Sequence, residues 1–369
     1  MTKGKVNFNE SNNYESSRNE LNNNTEIDQK RNLIENKSIT KQDLSNKERF
    51  TKYLEEINSK FLEQFELQEM IGSGSESFVY RTKIRKSKRI IASKILFKKD
   101  EEESNIIKEL SIAKKLKNKN IINIYGGSTI VKDGIDCIAM EYSKYGNLRD
   151  FQINILKRNI LSEQLLCYIV YQILNGLKYC HQCKIAHFDL KPQNITVDDY
   201  LNFKIIDFSI SLDYSKITSK TIKLPFRGTS FYIAPEVLSS KTIDVKDLNK
   251  VDLYSLGVIL YNLAFGKYPY NLSAEHSKDY DKIYEKIQED WEVRNNDHFY
   301  SEYFIDFVKK LLEKDINKRI NINQAMNHYW VKGAKILNNE KEKIYHCGNF
   351  LSYLLTDYFK SFGDYISNK

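Results

Sequence analysis

At 369 residues the chain is long enough for one large domain or two modest ones, and an apolar fraction of 41% supports a sizeable core. The net charge of +8 is spread over lysine runs such as Lys83–Arg89 and Lys114–Lys119, with acidic runs such as Asp100–Glu103 between them, and no nucleic-acid motif accompanies it, so nucleic acid is not an expected partner. No run of about 18 apolar residues is present, so no membrane-spanning helix is expected, and five cysteines with no apolar leader do not form a disulfide framework.

In chain order, residues 1–47 are rich in Asn, Ser, Lys and Glu and poor in aliphatics, and they read as a disordered arm that cannot bury enough apolar surface to offset the entropy of ordering. The start, Met1-Thr2-Lys3-Gly4, offers neither an apolar leader nor a myristoylation glycine, so an intracellular protein, cytoplasmic or nuclear, is expected. Residues 48–64 read as a lead-in helix. Strand patterns follow at Phe65–Ile71, Phe78–Lys83, Ile90–Phe97, Ile121–Tyr125 and Asp136–Glu141, interrupted by one helical pattern over Asn105–Leu116. Beyond Gly146 the pattern is mostly helical, at Ser162–Cys180, Leu253–Phe265, Asp281–Gln288, Phe304–Leu312 and Asn323–Val331. A small β-rich lobe with one main helix, followed by a larger α-helical lobe, gives a two-lobed α+β domain over 65–332. Cys180-His181-Gln182-Cys183 has the spacing of a redox or metal pair, but no second pair exists, and reduced structural thiols are expected. The extension 333–369 holds Tyr345, Phe350, Leu351, Tyr353, Leu354, Tyr358, Phe359, Phe362 and Tyr365, too many large apolar side chains for a free linker. It reads as a helix docked on the domain's own surface or as an autoregulatory or partner-binding helix.

The chemistry is concentrated in short polar clusters. Ile71-Gly72-Ser73-Gly74-Ser75-Glu76-Ser77-Phe78-Val79 places glycines between two strands, where backbone N–H groups can approach a phosphate without a Cβ in the way; a flexible hairpin turn is the competing explanation. Lys94 lies inside the apolar strand Ile91-Ala92-Ser93-Lys94 and needs an anion. Glu109, in register with Ile112 and Leu116, can supply it, whereas Glu101–Glu103 lack that apolar register. His187-Phe188-Asp189-Leu190-Lys191-Pro192-Gln193-Asn194 and Lys204-Ile205-Ile206-Asp207-Phe208-Ser209 each follow an apolar run. Carboxylate, cation and metal ligand in these clusters are what phosphoryl transfer requires, since that reaction needs positioning and charge neutralisation more than covalent help.

Taken together, these stretches resemble the eukaryotic protein kinase family of the serine/threonine type, in which a Gly-rich loop, strand lysine, catalytic loop and metal-binding motif occur in this order. Gly228-Thr229-Ser230-Phe231-Tyr232-Ile233-Ala234-Pro235-Glu236 resembles the end of the activation segment, and Val251-Asp252-Leu253-Tyr254-Ser255-Leu256-Gly257 the buried helix that anchors the catalytic loop. Arg319 and His328-Tyr329-Trp330 resemble the closing helices, where the arginine pairs with the glutamate matching Glu236. The resemblance implies ATP and Mg2+ as cofactors and a protein as substrate; it leaves the oligomeric state open. It implies Asp189 as the base that orients the hydroxyl, Lys191 on the transferring phosphoryl, and Asn194 and Asp207 on magnesium. Lys94, paired with Glu109, would hold the α- and β-phosphates beneath Ile71, Gly72, Ser73 and Gly74. Val79 and Ala92 would roof the adenine, Met140 would close its back, and Glu141 to Ser143 would form the hinge.

Departures from the family pattern carry further expectations. Phe188 stands where most members have the arginine that helps bind an activation-segment phosphate, and Pro225 stands where the phosphorylated residue is often found, so activity independent of that phosphorylation is expected. Thr218, Ser219 and Thr221 remain candidate autophosphorylation sites. Ser209 replaces the usual glycine, and Ser77 the third glycine of the loop. Asn147, Gln193 and Asn262, where arginine-directed members carry acids, are neutral amides, and a protein of charge +8 does not attract basic peptides. The competing class is a pseudokinase, an ATP-binding scaffold. A small-molecule kinase fits the Ala234-Pro235-Glu236 segment less well, and the subfamily is left unassigned.

Overall fold

The computed structural model describes residues 64–73, 77–97, 105–131, 135–157, 160–270, 272, 274–289 and 300–332. The arm 1–47, the lead-in helix expected over 48–64 (Gln64 excepted) and the extension 333–369 lie outside the described residues, as do Gly74 to Glu76 and Glu101 to Glu103.

The first lobe is built on an antiparallel sheet of β1 (Phe65–Ser73), β2 (Ser77–Ile84), β3 (Ile90–Phe97), β4 (Ile124–Val131) and β5 (Ile135–Met140), in the order β1-β2-β3-β5-β4. β3 is central, and Ile91 through Ile95 are all buried; that is why its sequence is nearly continuous in apolar residues instead of alternating. Its register sets Lys94 opposite Val79 on one side and Ile138 on the other, and Ala92 opposite Met140. The helix α1 (Asn105–Ala113) turns Glu109 and Ile112 inward, one turn apart, and leaves Ile107, Lys108 and Ser111 exposed.

Several expected boundaries shift, and two of the shifts have a local cause. The helical pattern runs to Leu116, but α1 ends at Ala113: the Lys114 amide still bonds to the Leu110 carbonyl, and from there the amides bond three residues back, Lys115 to Ile112 and Leu116 to Ala113, which tightens the chain out of the α-helix. The strand expected at Ile121–Tyr125 begins at Ile124. Asn120 and Ile122 are instead bonded to the backbone of Ile205 in the second lobe, at 2.9 and 3.0 Å, so the apolar pair Ile121-Ile122 fills the junction between lobes and not the sheet.

In the second lobe, α2 (Glu163–Gln182) packs across α3 (Lys250–Phe265), with α5 (Glu302–Leu311) and α6 (Ile322–Asn327) beside them; α4 (Tyr280–Gln288) lies near the short helix Pro235–Leu238. Every residue of α3 except Asn262 and Phe265 is buried, as expected of a helix that is apolar all round. Gly257 lets α5 close on it, since a Cβ there would lie 2.9 Å from Leu311 Cβ. The helix expected at Asn323–Val331 is broken at His328, which is extended (ψ 142°) and closes α6 by hydrogen-bonding to the Ala325 carbonyl. The break swings Trp330 into the core, where its Nε1 donates to Glu163 at 2.9 Å.

Short ribbons present the polar clusters. β6 (Ile185–Ala186) pairs with β9 (Leu212–Asp213), and β7 (Ile195–Val197) with β8 (Phe203–Ile205). β10 (Thr221–Lys223) pairs with β11 (Thr242–Asp244). The loop 187–194 therefore starts and ends on hydrogen-bonded strands, and the segment 206–211 runs between two others. Cys137, Cys167 and Cys180 are buried and Cys183 half-buried, none of them in a disulfide.

Candidate active site

The loop between β6 and β7 is held from below by α3. The buried carboxylate of Asp252 accepts from the backbone N–H of His187 at 2.9 and 3.1 Å and from that of Phe188 at 2.9 Å, while His181 Nε2 lies 2.9 Å away. Burial alone would raise the Asp252 pKa; the hydrogen bonds from His181 and His187 outweigh it and hold the carboxyl below its usual value. These bonds offset a backbone cost. Phe188 (φ 66°) and Asp207 (φ 64°) both occupy the left-handed region, worth about 1–3 kcal/mol each for a residue with a Cβ. The His187 ring ties the two clusters together: Nε2 donates to the Ile206 carbonyl at 2.9 Å, and Nδ1 accepts from Asp189 N–H at 3.2 Å, which requires the tautomer protonated on Nε2. Its edge packs on Phe208, centroids 5.0 Å apart.

Asp189 is surrounded by groups that fix both its oxygens. Asn194 Nδ2 donates to Oδ2 at 2.9 Å and to the Asp189 carbonyl at 2.8 Å, and Lys191 Nζ lies 2.8 Å from Oδ2. Thr229 donates through its hydroxyl to Oδ1 at 2.6 Å and accepts from Lys191 Nζ at 2.7 Å. No role for Thr229 follows from the sequence, and the only local signal is the glycine before it. Gly228 (φ 116°) passes so close to the loop that a Cβ there would lie 2.7 Å from the Phe188 carbonyl.

Lys94 reaches this cluster from the other lobe. Its Nζ lies 3.0 Å from Glu109 Oε2 and 3.0 Å from Asp207 Oδ1. Burial works against the Lys94 charge, but the two carboxylates outweigh it and raise its pKa. Asp207 is likewise partly desolvated, yet Lys94 and a hydrogen bond from Ser209 bring it down to about 2.

Apolar neighbours line the space beside the lysine. Val79, Ala92 and Met140 belong to one cluster with Ile122, Ile138 and Ile206. Gly72 faces Val79, where a Cβ would sit 3.6 Å from the valine Cβ, and Ile71 is exposed next to it. Ser73 ends β1, and Gly74 lies outside the described residues. Glu141 pairs through its side chain with Lys204, which also lies 3.2 Å from Asp198, and its N–H donates to the Asn123 carbonyl at 2.9 Å, so its own carbonyl is what is left for a ligand. Ser143 is buried, and its hydroxyl has no hydrogen-bond partner among the described residues.

The donor set suits a magnesium ion held together with phosphate oxygens. Because the Asn194 nitrogen is committed to Asp189, Oδ1 is the atom left to meet a metal, and Asp207 adds a carboxylate. Among the described residues no cluster of three or more His, Cys, Asp or Glu could hold a metal without a ligand. One carboxylate and one amide, completed by substrate oxygens and water, is a magnesium arrangement and not a cage built by protein alone.

The segment between the two clusters and α3 is anchored at several points. Arg319 forms a bidentate pair with Glu236, at 2.6 and 2.9 Å, and both are buried, as expected for the arginine of the closing helices. The pairing of β10 with β11 fixes residues 221–223. Among the described residues Ser209 is not one of those with positive φ, so its Cβ meets no backbone demand for glycine.

Residues 65–331 match the family model described as protein kinase domain. The chain is 31% identical over 281 residues to an Aurora kinase of Patiria pectinifera, covering 75% of this chain and 65% of that protein. It is 33% identical over 273 residues to the serine/threonine-protein kinase pakH of Dictyostelium discoideum (73% and 50%). To the serine/threonine-protein kinase ULK3 of Xenopus laevis it is 32% identical over 278 residues (73% and 56%). The chain thus spans less than two thirds of the length of these relatives, and near-equal identity to three differently named kinases leaves the subfamily unassigned.

Proposed function

The chain belongs to the protein kinase family, and from that premise we propose that it transfers the γ-phosphate of ATP to serine or threonine hydroxyls of protein substrates. The observation that carries the reading is the convergence on one place of Lys94, Glu109 and Asp207 from the two lobes and of Asp189, Lys191, Asn194 and Thr229 around one carboxylate. In this reading Asp189 orients the incoming hydroxyl and takes its proton, with Oδ1 and Oδ2 already aimed by Thr229 and Asn194. Lys191, 2.8 Å from Asp189, lies where it can stabilise charge on the transferring group. Lys94 holds phosphate oxygens and is kept in place by Glu109. Asn194 and Asp207 hold magnesium, which when bound neutralises charge on the phosphates. Val79, Ala92 and Met140 enclose the adenine, and the backbone of Glu141 to Ser143 meets its edge. The test is transfer of labelled phosphate: wild type should label a generic protein substrate or itself, and Asp189→Asn should not. Equal labelling by both would remove Asp189 from the mechanism, and absence of labelling by wild type would leave the scaffold reading.

Two finer features belong to the same proposal. The kinase acts without phosphorylation of its activation segment, since Phe188 is buried and apolar where a phosphate-binding arginine would stand. Phosphatase-treated protein should therefore keep its activity. It is also not arginine-directed. Asn147 spends its side chain capping a helical turn, accepting from Asp150 N–H at 3.0 Å and donating to Asp150 Oδ2 at 2.6 Å, and Gln193 is exposed and uncharged. A positional peptide library should show no strong selection for Arg two or three residues before the target.

A further inference from the structure

Two cations meet the first residues of the activation segment, and neither has a carboxylate partner among the described residues. Lys108, on the exposed side of α1, donates to the Ser209 carbonyl at 3.3 Å. Arg227, at the far end of the segment, donates through Nη1 to the carbonyl of the next residue, Ile210, at 2.8 Å. The Arg227 guanidinium also lies over the Phe188 ring, 5.6 Å from its centroid. Phe188 is itself buried and fixed by Asp252, and it directly precedes Asp189. On the other side, Ser209 N–H points to Asp207 Oδ1 at 3.4 Å, and Ser211 Oγ donates to the His187 carbonyl at 3.1 Å. Four pieces of chain therefore meet here: α1, the start of the segment, its end, and the catalytic loop.

The charges at this junction are uncompensated in the usual sense. Burial pushes the pKa of both Lys108 and Arg227 down, and the Arg227 charge depresses Lys108 further, so the two cations repel. What holds them is the negative end of two successive peptide dipoles and, for Arg227, the face of an aromatic ring. A phosphate would be the ordinary bridge between such cations. Here carbonyl groups and Phe188 take that place.

We propose that Arg227, assisted by Lys108, is a positioning residue for phosphoryl transfer, fastening the start of the activation segment to α1 and to the catalytic loop through Phe188. This rests on the reading that the segment works unphosphorylated, and it reverses the polarity of the usual arrangement. The arginine is on the segment and its neutral partner is in the catalytic loop. Arg227 acts through Ile210 and Phe188 and so on Asp207 and Asp189; it touches neither substrate nor metal.

The experiment uses the full chain after phosphatase treatment, with its phosphate-free mass confirmed. Arg227→Met should lower kcat roughly tenfold to a hundredfold, the scale of small misplacements of reacting groups, and leave KM for ATP and the Mg-ATP melting shift within about twofold of wild type. Lys108→Met, on an exposed side chain, should lower kcat less. Arg227→Met combined with Phe188→Leu should lose no more than the larger single change, because both remove one contact. Wild-type kcat in Arg227→Met and Lys108→Met, or a double variant whose losses simply multiply, overturns the proposal. If Arg227→Met does not fold, Arg227→Lys, which keeps charge but loses the flat fork, decides together with Lys108→Met: wild-type kcat in both overturns it. Loss of wild-type activity on phosphatase treatment overturns instead the phosphate-independent reading. The same variants assayed before treatment then decide the role of Arg227, a kcat loss supporting it and wild-type kcat removing it.

Discussion

Asp207 shows how much one side chain depends on its neighbours. It occupies a strained backbone position, faces Lys94 at 3.0 Å, and has its pKa brought from 3.8 to about 2. A carboxylate whose folded-state pKa lies below its unfolded value contributes stability that is present above about pH 4 and is lost as pH falls towards 2. Asp207→Asn should therefore be less stable than wild type at pH 7 in urea unfolding, and the gap should shrink steadily below pH 4. A gap that stays constant down to pH 2 would show that the Lys94 contact does not govern the Asp207 charge. Lys94, Glu109, Asp189, Lys191, Asn194 and Asp207 are all legible in the sequence: the last four stand in short polar clusters that follow apolar runs, Lys94 is a lone cation in an apolar strand, and Glu109 keeps the apolar register of its helix. Thr229 is not, since its role arises from contact with a residue 40 positions away. The same is true of the grip of Asp252 on Phe188, 64 positions apart.

Between elements, the clearest energetic prediction concerns Arg319 and Glu236, which join the last helices to the end of the activation segment. Arg319 is 1% and Glu236 3% exposed, and the guanidinium also lies 4.9 Å from the centre of the Tyr254 ring. Removing only the arginine strands a carboxylate in the core, so Arg319→Met should cost about 3–5 kcal/mol. Arg319→Met with Glu236→Leu should recover part of that loss, because no buried charge is then left unpaired. Denaturant midpoints at unchanged m-value measure both; equal loss in the single and double variants would mean that packing, not charge, is what Arg319 supplies. The elements themselves were largely legible from periodicity, with misplacements at α1, β4 and the final helix. At β4 the reason is specific: Ile121 and Ile122 are as apolar as strand residues, but the backbone they bond to belongs to the other lobe. An apolar run does not state which partner it will face.

At the scale of the molecule, the two lobes meet where Lys94 of the sheet touches Asp207 of the second lobe. A ligand bound there stabilises both lobes together, and at a hundredfold excess over its dissociation constant such linkage is worth about 2.7 kcal/mol. Mg-ATP should raise the melting temperature of wild type, the shift should largely vanish in Lys94→Met, and it should persist in Asp189→Asn, since in the proposed mechanism Asp189 meets the hydroxyl and not the nucleotide. A full shift in Lys94→Met would remove that lysine from nucleotide binding. The order of lobes, the family and the polar set of the site were determined by the sequence alone, because apolar periodicity and motif chemistry are local properties that a short stretch carries by itself. Tertiary structure decided the hydrogen bonds of Thr229 to Asp189 and Lys191, the clamp from Asp252, the contact of Arg227 with Phe188 and Ile210, and where β4 begins. Each of these depends on which distant segments come within about 3 Å of one another or pack ring against cation, and that distance is set by the packing of α3 and the close pass at Gly228, not by any residue's own preference.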